Sequence, residues 1–283
     1  MMKRNIMKRI EFDSKHEMVF TQNGFNTFED FIYCNKGKII NRNKKRNVSI
    51  LHLPSQEGTR VYFMKRFFSP HFKDMLFTVR NLGKLCSQAE LELSNSRILL
   101  DSGIETYHPV CWGAQTCCGI EQRSFFITEK IHGLSLIEFL FNYWNAFDMV
   151  QRERLMVELA IFFRKLHKAR LSLPDSYLWH LFLVEPIDTA KPYKFAIIDL
   201  HRMQINVSST KHAAWDLAAF LFSLPCEWFD TRLRDLFLNT HMDFSNGTGI
   251  TCHKDFQEAV AKRERILMTR RQKPDLEYLK MMV

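Results

Sequence analysis

The sequence predicts an α+β chain in two parts, a small mixed β-rich part followed by a larger, mainly helical one. Three observations predict it. Up to about residue 130, short stretches of alternating apolar and polar residues are separated by charged turns. After Gly133 apolar residues recur at three- and four-residue spacing with few breakers. The 283 residues are 46% hydrophobic and 25% charged, a globular mixture long enough for a two-part core, with expected domains 1–130 and 131–283. With 10 Gly and 8 Pro, collagen-like and linker-dominated chains are excluded, while 25 Phe point to aromatic-rich packing.

Residues Asn47–Leu53 alternate as a strand, Pro54–Thr59 reads as a turn, and Arg60–Phe67 as the second arm of a hairpin carrying Lys65. Gln88–Leu100 fits a helix ending before Gly103. Thr106–Gly113 and Ser124–Glu129 are the next strand candidates. Ser135–Trp144 and Arg152–Arg170 then read as helices, the second burying Leu155, Leu159, Phe162, Phe163, Leu166 and His167 on one face. Leu181–Val184 and Phe195–Ile198 are short strands around a Pro-containing turn, and Trp215–Leu224 is a buried helix. Phe256–Lys280 is expected to be one charged helix.

The formal charge is +9, from 40 Lys and Arg against 31 Asp and Glu, which favours anionic partners. Seven cysteines form no CxxC pair, and their odd number cannot pair wholly within the chain, so reduced thiols of a cytosolic protein are expected. Residues 1–10 hold basic side chains among isolated apolar ones and give no export signal, and the longest apolar stretch, Ala213–Pro225, contains Asp216 and is too short to span a bilayer. The expectation is a cytoplasmic protein whose membrane contact is peripheral. Nucleic acid is not an expected partner, because charge alone supports it and no zinc spacing, aromatic RNA-binding motif or recognition helix is present.

Lys65 on an early strand, an acid on the following helix, and Asp175 and Asp199 around a strand pair after a long helix give the residue order of a protein-kinase-like phosphotransferase. Asp175 and His180 have the spacing of a kinase catalytic-loop aspartate and its downstream metal-binding residue. Asp199 closes an apolar strand, where an acid without a partner would cost stability. Read singly, each residue has a plainer explanation. Lys65 is a solvated strand lysine, Asp175 a turn residue after Pro174, and Glu90 competes with Glu92 as an ordinary surface carboxylate. His167 reads as a packed histidine at a helix end, and Asp216 as structural.

Several segments together resemble the bacterial lipopolysaccharide core sugar kinases that phosphorylate heptose or Kdo. They are Tyr62-Phe-Met-Lys65-Arg66, Gly103-Ile-Glu-Thr106, Ser124-Phe-Phe-Ile-Thr-Glu129, Leu166-His167, Asp175-Ser-Tyr-Leu-Trp-His180, Ile198-Asp-Leu-His-Arg202 with Gln204, and Asp216-Leu217. The Asn23–Phe31 stretch looks like the lead-in of the broader family branch. The resemblance covers about residues 30–270 and implies a protein-kinase-like bilobal fold using ATP and Mg2+. It implies that Lys65 holds the α- and β-phosphates, that Glu92 pairs with Lys65, and that Thr128, Glu129 and Lys130 offer hinge backbone groups to adenine. Asp175 would orient the sugar hydroxyl and take its proton, Asp199 would bind magnesium, His180 would ligate a metal or steady a phosphate, and Asp216 would brace the loop. The implied partners are the lipopolysaccharide core oligosaccharide and the anionic inner face of the cell membrane, with an acidic protein as a further class.

The chain departs from the pattern at Leu173-Pro174, where His-Arg is expected before the aspartate, and it has no GxGxxG in the first hairpin. The alternative reading is therefore a nucleotide-binding pseudokinase or interaction protein of the same fold.

Overall fold

The computed structural model describes residues 6–187, 191–243 and 253–283, so Cys252 lies outside the described residues. The other six cysteines are free thiols. The chain forms two compact units, one from residues up to Asp101 plus Tyr107–Ile131, the other from Ser102–Thr106 plus His132 onward.

In chain order the first unit holds β1 (Ile6–Phe12), α1 (Glu17–Gln22), α2 (Phe28–Ile32), β2 (Lys38–Arg42), β3 (Arg46–Ser55), β4 (Gly58–Phe68), α3 (Phe72–Leu82), α4 (Gln88–Asp101), β5 (Pro109–Cys117) and β6 (Ile120–Glu129). The six strands form an antiparallel sheet ordered β1-β5-β6-β4-β3-β2. The expected hairpin is present with a tighter turn. Ser55 pairs with Gly58, so only Gln56 and Glu57 turn, and Pro54 stays in β3 opposite Thr59. Proline is tolerated there because β2 reaches only to Ile50, leaving that edge of β3 without a ladder for its missing N–H.

The strand expected from Thr106 begins only at Pro109. Thr106 is drawn into the second unit instead, where its hydroxyl donates to the Ile197 carbonyl at 2.6 Å and Glu105 bridges Ala196. The Asn23–Phe31 stretch packs the sheet. Thr27 and Asp30 make a capping box that starts α2, and Phe20, Phe25, Phe28 and Phe31 are buried with Leu51, Tyr62 and Phe125. Phe31 stacks on Phe125 with ring centroids 4.3 Å apart. Gly113 is required beneath this cluster, since a Cβ there would lie 2.5 Å from the Phe125 ring.

The second unit contains β7 (Gly133–Ser135), α5 (Leu136–Tyr143), α6 (Met149–Lys168), β8 (Leu181–Val184), β9 (Phe195–Ile197), α7 (Thr210–Ser223), α8 (Thr231–Asp243), α9 (His253–Arg270) and α10 (Leu276–Lys280). Strands β7, β8 and β9 form a small antiparallel sheet. Gly133 has φ +155°, and a Cβ would fall 1.9 Å from the Leu183 carbonyl oxygen, so only glycine lets β7 approach β8. An Asp148–Gln151 capping box starts α6, which buries Leu155, Leu159, Phe163 and Leu166. Helix α6 packs against α8, and α7, buried from Asp216 to Ser223, against α9. The expected single tail helix is two helices, because the segment containing Pro274 cannot continue α9 and Asp275 caps a new start. Among the described residues no helix is long and apolar enough to cross a membrane.

Candidate active site

In the first unit, β4 runs between β3 and β6, with Lys65 opposite Val48 on one side and Phe126 on the other. Its ammonium reaches Glu92 on α4 at 2.9 and 3.0 Å, touching both carboxylate oxygens. Glu92 is fully buried and Lys65 is 16% exposed, so water screens this pair little. The Tyr107 hydroxyl donates to Glu92 Oε2, and the Lys65 ammonium lies 5.2 Å from the Tyr107 ring centre. Glu90, the sequence competitor, faces outward and pairs with Lys84 at 2.6 Å.

The start of α4 is pinned to β6. Glu121 Oε2 accepts the Gln88 N–H at 2.9 Å, and Ser124 Oγ accepts the Ala89 N–H at 3.3 Å. Burial raises the Glu121 carboxyl to about 7 despite these bonds. Sequence reasoning missed Tyr107 and Glu121. The only signal for either was a polar residue inside an apolar strand region, which many surface residues share.

At the end of β6, Thr128 is buried while Glu129 and Lys130 follow it outward. The Glu129 N–H donates to the His108 carbonyl at 3.1 Å and the Lys130 N–H to the Val61 carbonyl at 3.2 Å. These two donors are committed, so the two residues can offer a nucleobase their carbonyl oxygens and not their amides. Glu129 Oε1 also lies 3.5 Å from His16 Nε2, a ring whose pKa is lowered chiefly by burial.

The second unit gathers the remaining candidates around the loop after α6. Fully buried Asp216 accepts from Ser172 Oγ at 2.9 Å and from the Leu173 N–H at 2.8 Å, while its own carbonyl accepts from Ser176 Oγ at 2.8 Å. Asp216 braces the loop as expected. Leucine serves at position 173 because the brace uses its backbone N–H. His167 Nε2 lies 3.2 Å from Asp216 Oδ2, and His167 Nδ1 lies 2.8 Å from His241 Nε2. Burial pushes His241 down to about 3, so it is neutral, and a His241 N–H donating to His167 Nδ1 completes the chain to Asp216.

Asp175 follows Pro174 with its carboxylate 13% exposed, and its backbone carbonyl accepts from His180 Nδ1 at 2.6 Å. With Nδ1 donating, His180 Nε2 carries its lone pair and lies 3.8 Å from Asp199 Oδ2. Asp199 follows β9 in the left-handed region at φ 63°, a conformation Asp tolerates better than most residues and one that accumulates at functional sites. The other oxygen of Asp199 is 2.9 Å from His201 Nδ1. Asp175, His180 and Asp199 are thus brought together within one unit, with His201 and Arg202 beside them. The Asp199 carboxylate suits a hard cation such as Mg2+. Imidazole nitrogen suits softer metals better, so His180 fits best as the group that holds the Asp175 backbone in place.

The sequence profile of the lipopolysaccharide kinase (Kdo/WaaP) family matches residues 33–239. The chain belongs to that family. The matched span includes Lys65, Glu92, Thr128, Glu129, Lys130, Asp175, His180, Asp199 and Asp216, and leaves out α9 and α10. The lipopolysaccharide core heptose(I) kinase WaaP of Escherichia coli K12 is 27% identical over 170 residues, 58% of this chain and 63% of that relative. A second Escherichia coli heptose(I) kinase WaaP is 26% identical over 150 residues, 52% of this chain and 57% of its own length. These alignments span less than two-thirds of either curated relative. A solved structure of WaaP in complex with acyl carrier protein has a TM-score of 0.68 at 22% identity, covering 92% of this chain and 98% of that one. The chain therefore shares the fold of this family, and the expected α+β class holds.

Proposed function

We propose that the protein is an ATP-dependent kinase that phosphorylates a sugar hydroxyl, on heptose or Kdo, of the lipopolysaccharide inner core. One observation carries the reading beyond family membership: His180 donates to the Asp175 backbone and sets its other ring nitrogen 3.8 Å from the Asp199 carboxylate, so the two aspartates lie on either side of one imidazole. In this mechanism Asp175 orients the acceptor hydroxyl and takes its proton as the oxygen attacks the γ-phosphorus and ADP leaves. Lys65, its rotamer held by Glu92, carries the charge that meets the α- and β-phosphates. Asp199 would hold Mg2+, while His180 fixes the Asp175 backbone beside it. A bound Mg2+ supplies neutralisation of the charge on the phosphates. Thr128, Glu129 and Lys130 form the adenine-facing segment, the last two through their carbonyls.

The formal charge of +9 supports working on an anionic acceptor at the inner membrane face and contact with an acidic protein, such as the acyl carrier protein bound to the WaaP relative. The test is transfer from labelled ATP to dephosphorylated core oligosaccharide with Mg2+ present. Wild type is expected to transfer, and Asp175→Ala to keep nucleotide affinity while losing transfer. Nucleotide binding without transfer by wild type would establish the pseudokinase reading instead, for which Pro174 before Asp175 is the supporting feature.

A further inference from the structure

We propose that Arg202 is a specificity-determining residue, binding a carboxylate or phosphate already present on the acceptor while it positions Asp175. The inference rests on the sugar-kinase reading and names the chemistry that the acceptor must carry beside the reacting hydroxyl.

The position before Asp175 is proline, so the loop itself brings no cation to its aspartate. Arg202 brings one from elsewhere in the same unit. It ends the short 3-10 turn that begins after Asp199, and its Nε lies 3.4 Å from Asp175 Oδ2. The segments are held in register by a reciprocal backbone pair, Ser172 N–H to the Gln204 carbonyl at 3.0 Å and Gln204 N–H to the Ser172 carbonyl at 2.9 Å. That bridge keeps the backbone that carries Arg202 beside the loop that carries Asp175.

The contact uses only a small part of the guanidinium. Arg202 is 60% exposed against 13% for Asp175, and has no other hydrogen-bond or ion-pair partner among the described residues. A guanidinium offers five N–H donors in a fork that matches carboxylate and phosphate oxygens, so its outward Nη edge remains available to a second anion. The surroundings add positive charge. Arg271 donates from Nη1 to the Tyr177 hydroxyl at 3.2 Å, and the charges of Arg271, Arg263 and Arg202 all bear on Tyr177, two residues beyond Asp175. An anion drawn to Arg202 would sit beside the group that takes the hydroxyl proton. That placement selects acidic sugars over neutral ones.

The test is calorimetric binding of three forms of core oligosaccharide, native, phosphatase-treated and carboxyl-reduced, to protein holding ADP and Mg2+. Wild type should bind the native form about tenfold or more tightly than a form stripped of the recognised anion, the scale of one charge-assisted hydrogen-bond pair. The stripped form that loses affinity identifies phosphate or carboxylate as the group. Arg202→Gln should abolish the preference with unchanged ADP affinity and melting temperature, and Arg202→Lys should retain part of it. Equal affinity of wild type for all three forms, or for none, overturns the proposal, as does an intact preference in Arg202→Gln. Phosphate transfer is measured separately, so a protein that prefers the acidic glycan yet transfers nothing would sink the kinase reading and leave this one standing.

Discussion

Glu92, with no exposed side-chain surface, holds the Lys65 ammonium at 2.9 Å with one carboxylate oxygen and 3.0 Å with the other. A buried pair of this kind contributes little net stability, because desolvation offsets attraction, but removing one partner strands the other. Lys65→Met is therefore expected to destabilise the protein by about 3 kcal/mol or more. Lys65→Met combined with Glu92→Leu should recover most of that stability and none of the nucleotide binding. Denaturant melts with nucleotide titrations of the single and double variants separate the two effects. A double variant as unstable as Lys65→Met would show that the pair is not the source.

His180 does through Nδ1 what an amide side chain could also do, donating to the Asp175 carbonyl. His180→Asn should thus retain measurable transfer, whereas His180→Ala frees the loop and should lower kcat by about 10²-fold or more, as mispositioning does. Both kcat values are read from initial rates at saturating ATP. Equal losses in the two variants would remove the backbone bond from the mechanism.

The buried His241 ring, pushed down to about 3, titrates near 6.5 once unfolded. The unfolded state then binds more protons between those values, so stability must fall as pH drops from about 6.5 toward about 3. His241→Gln is expected to melt with a shallower loss over that window than wild type. Parallel curves for the two proteins would contradict it.

Glu121 has the opposite sign. Its carboxyl is raised to about 7 in the fold from 4.5, so the folded state holds the extra proton and stability falls as pH rises through that interval. Glu121→Gln keeps an acceptor for the Gln88 N–H and carries no charge. Its stability relative to wild type should rise by on the order of 2–3 kcal/mol between pH 4.5 and pH 8. Chemical denaturation at those two pH values reads the change directly.

The hairpin bearing Lys65, α4, the long α6 and the β8–β9 pair were legible from period and breakers, because each buries one face of a regular element. The short α1 and α2 and the edge strands β1 and β2 were not. They are too brief to show a period, and packing of Phe20, Phe25 and Phe31 onto the sheet holds the first two in place. Pro274 was visible in the tail, yet charge continuity on either side of it masked the break between α9 and α10.

Residue order and local context determined by themselves the α+β class, the family resemblance, and Lys65, Asp175 and Asp199 as the groups to examine. Tertiary structure alone decided that Glu92 and not Glu90 meets Lys65, that the amides of Glu129 and Lys130 are already committed, and that Arg202 supplies a cation to Asp175. The physical reason is range. Periodicity and capping act over a few residues and leave their mark in the chain, whereas an ion pair between distant positions exists only once the strands and helices that carry its partners have packed.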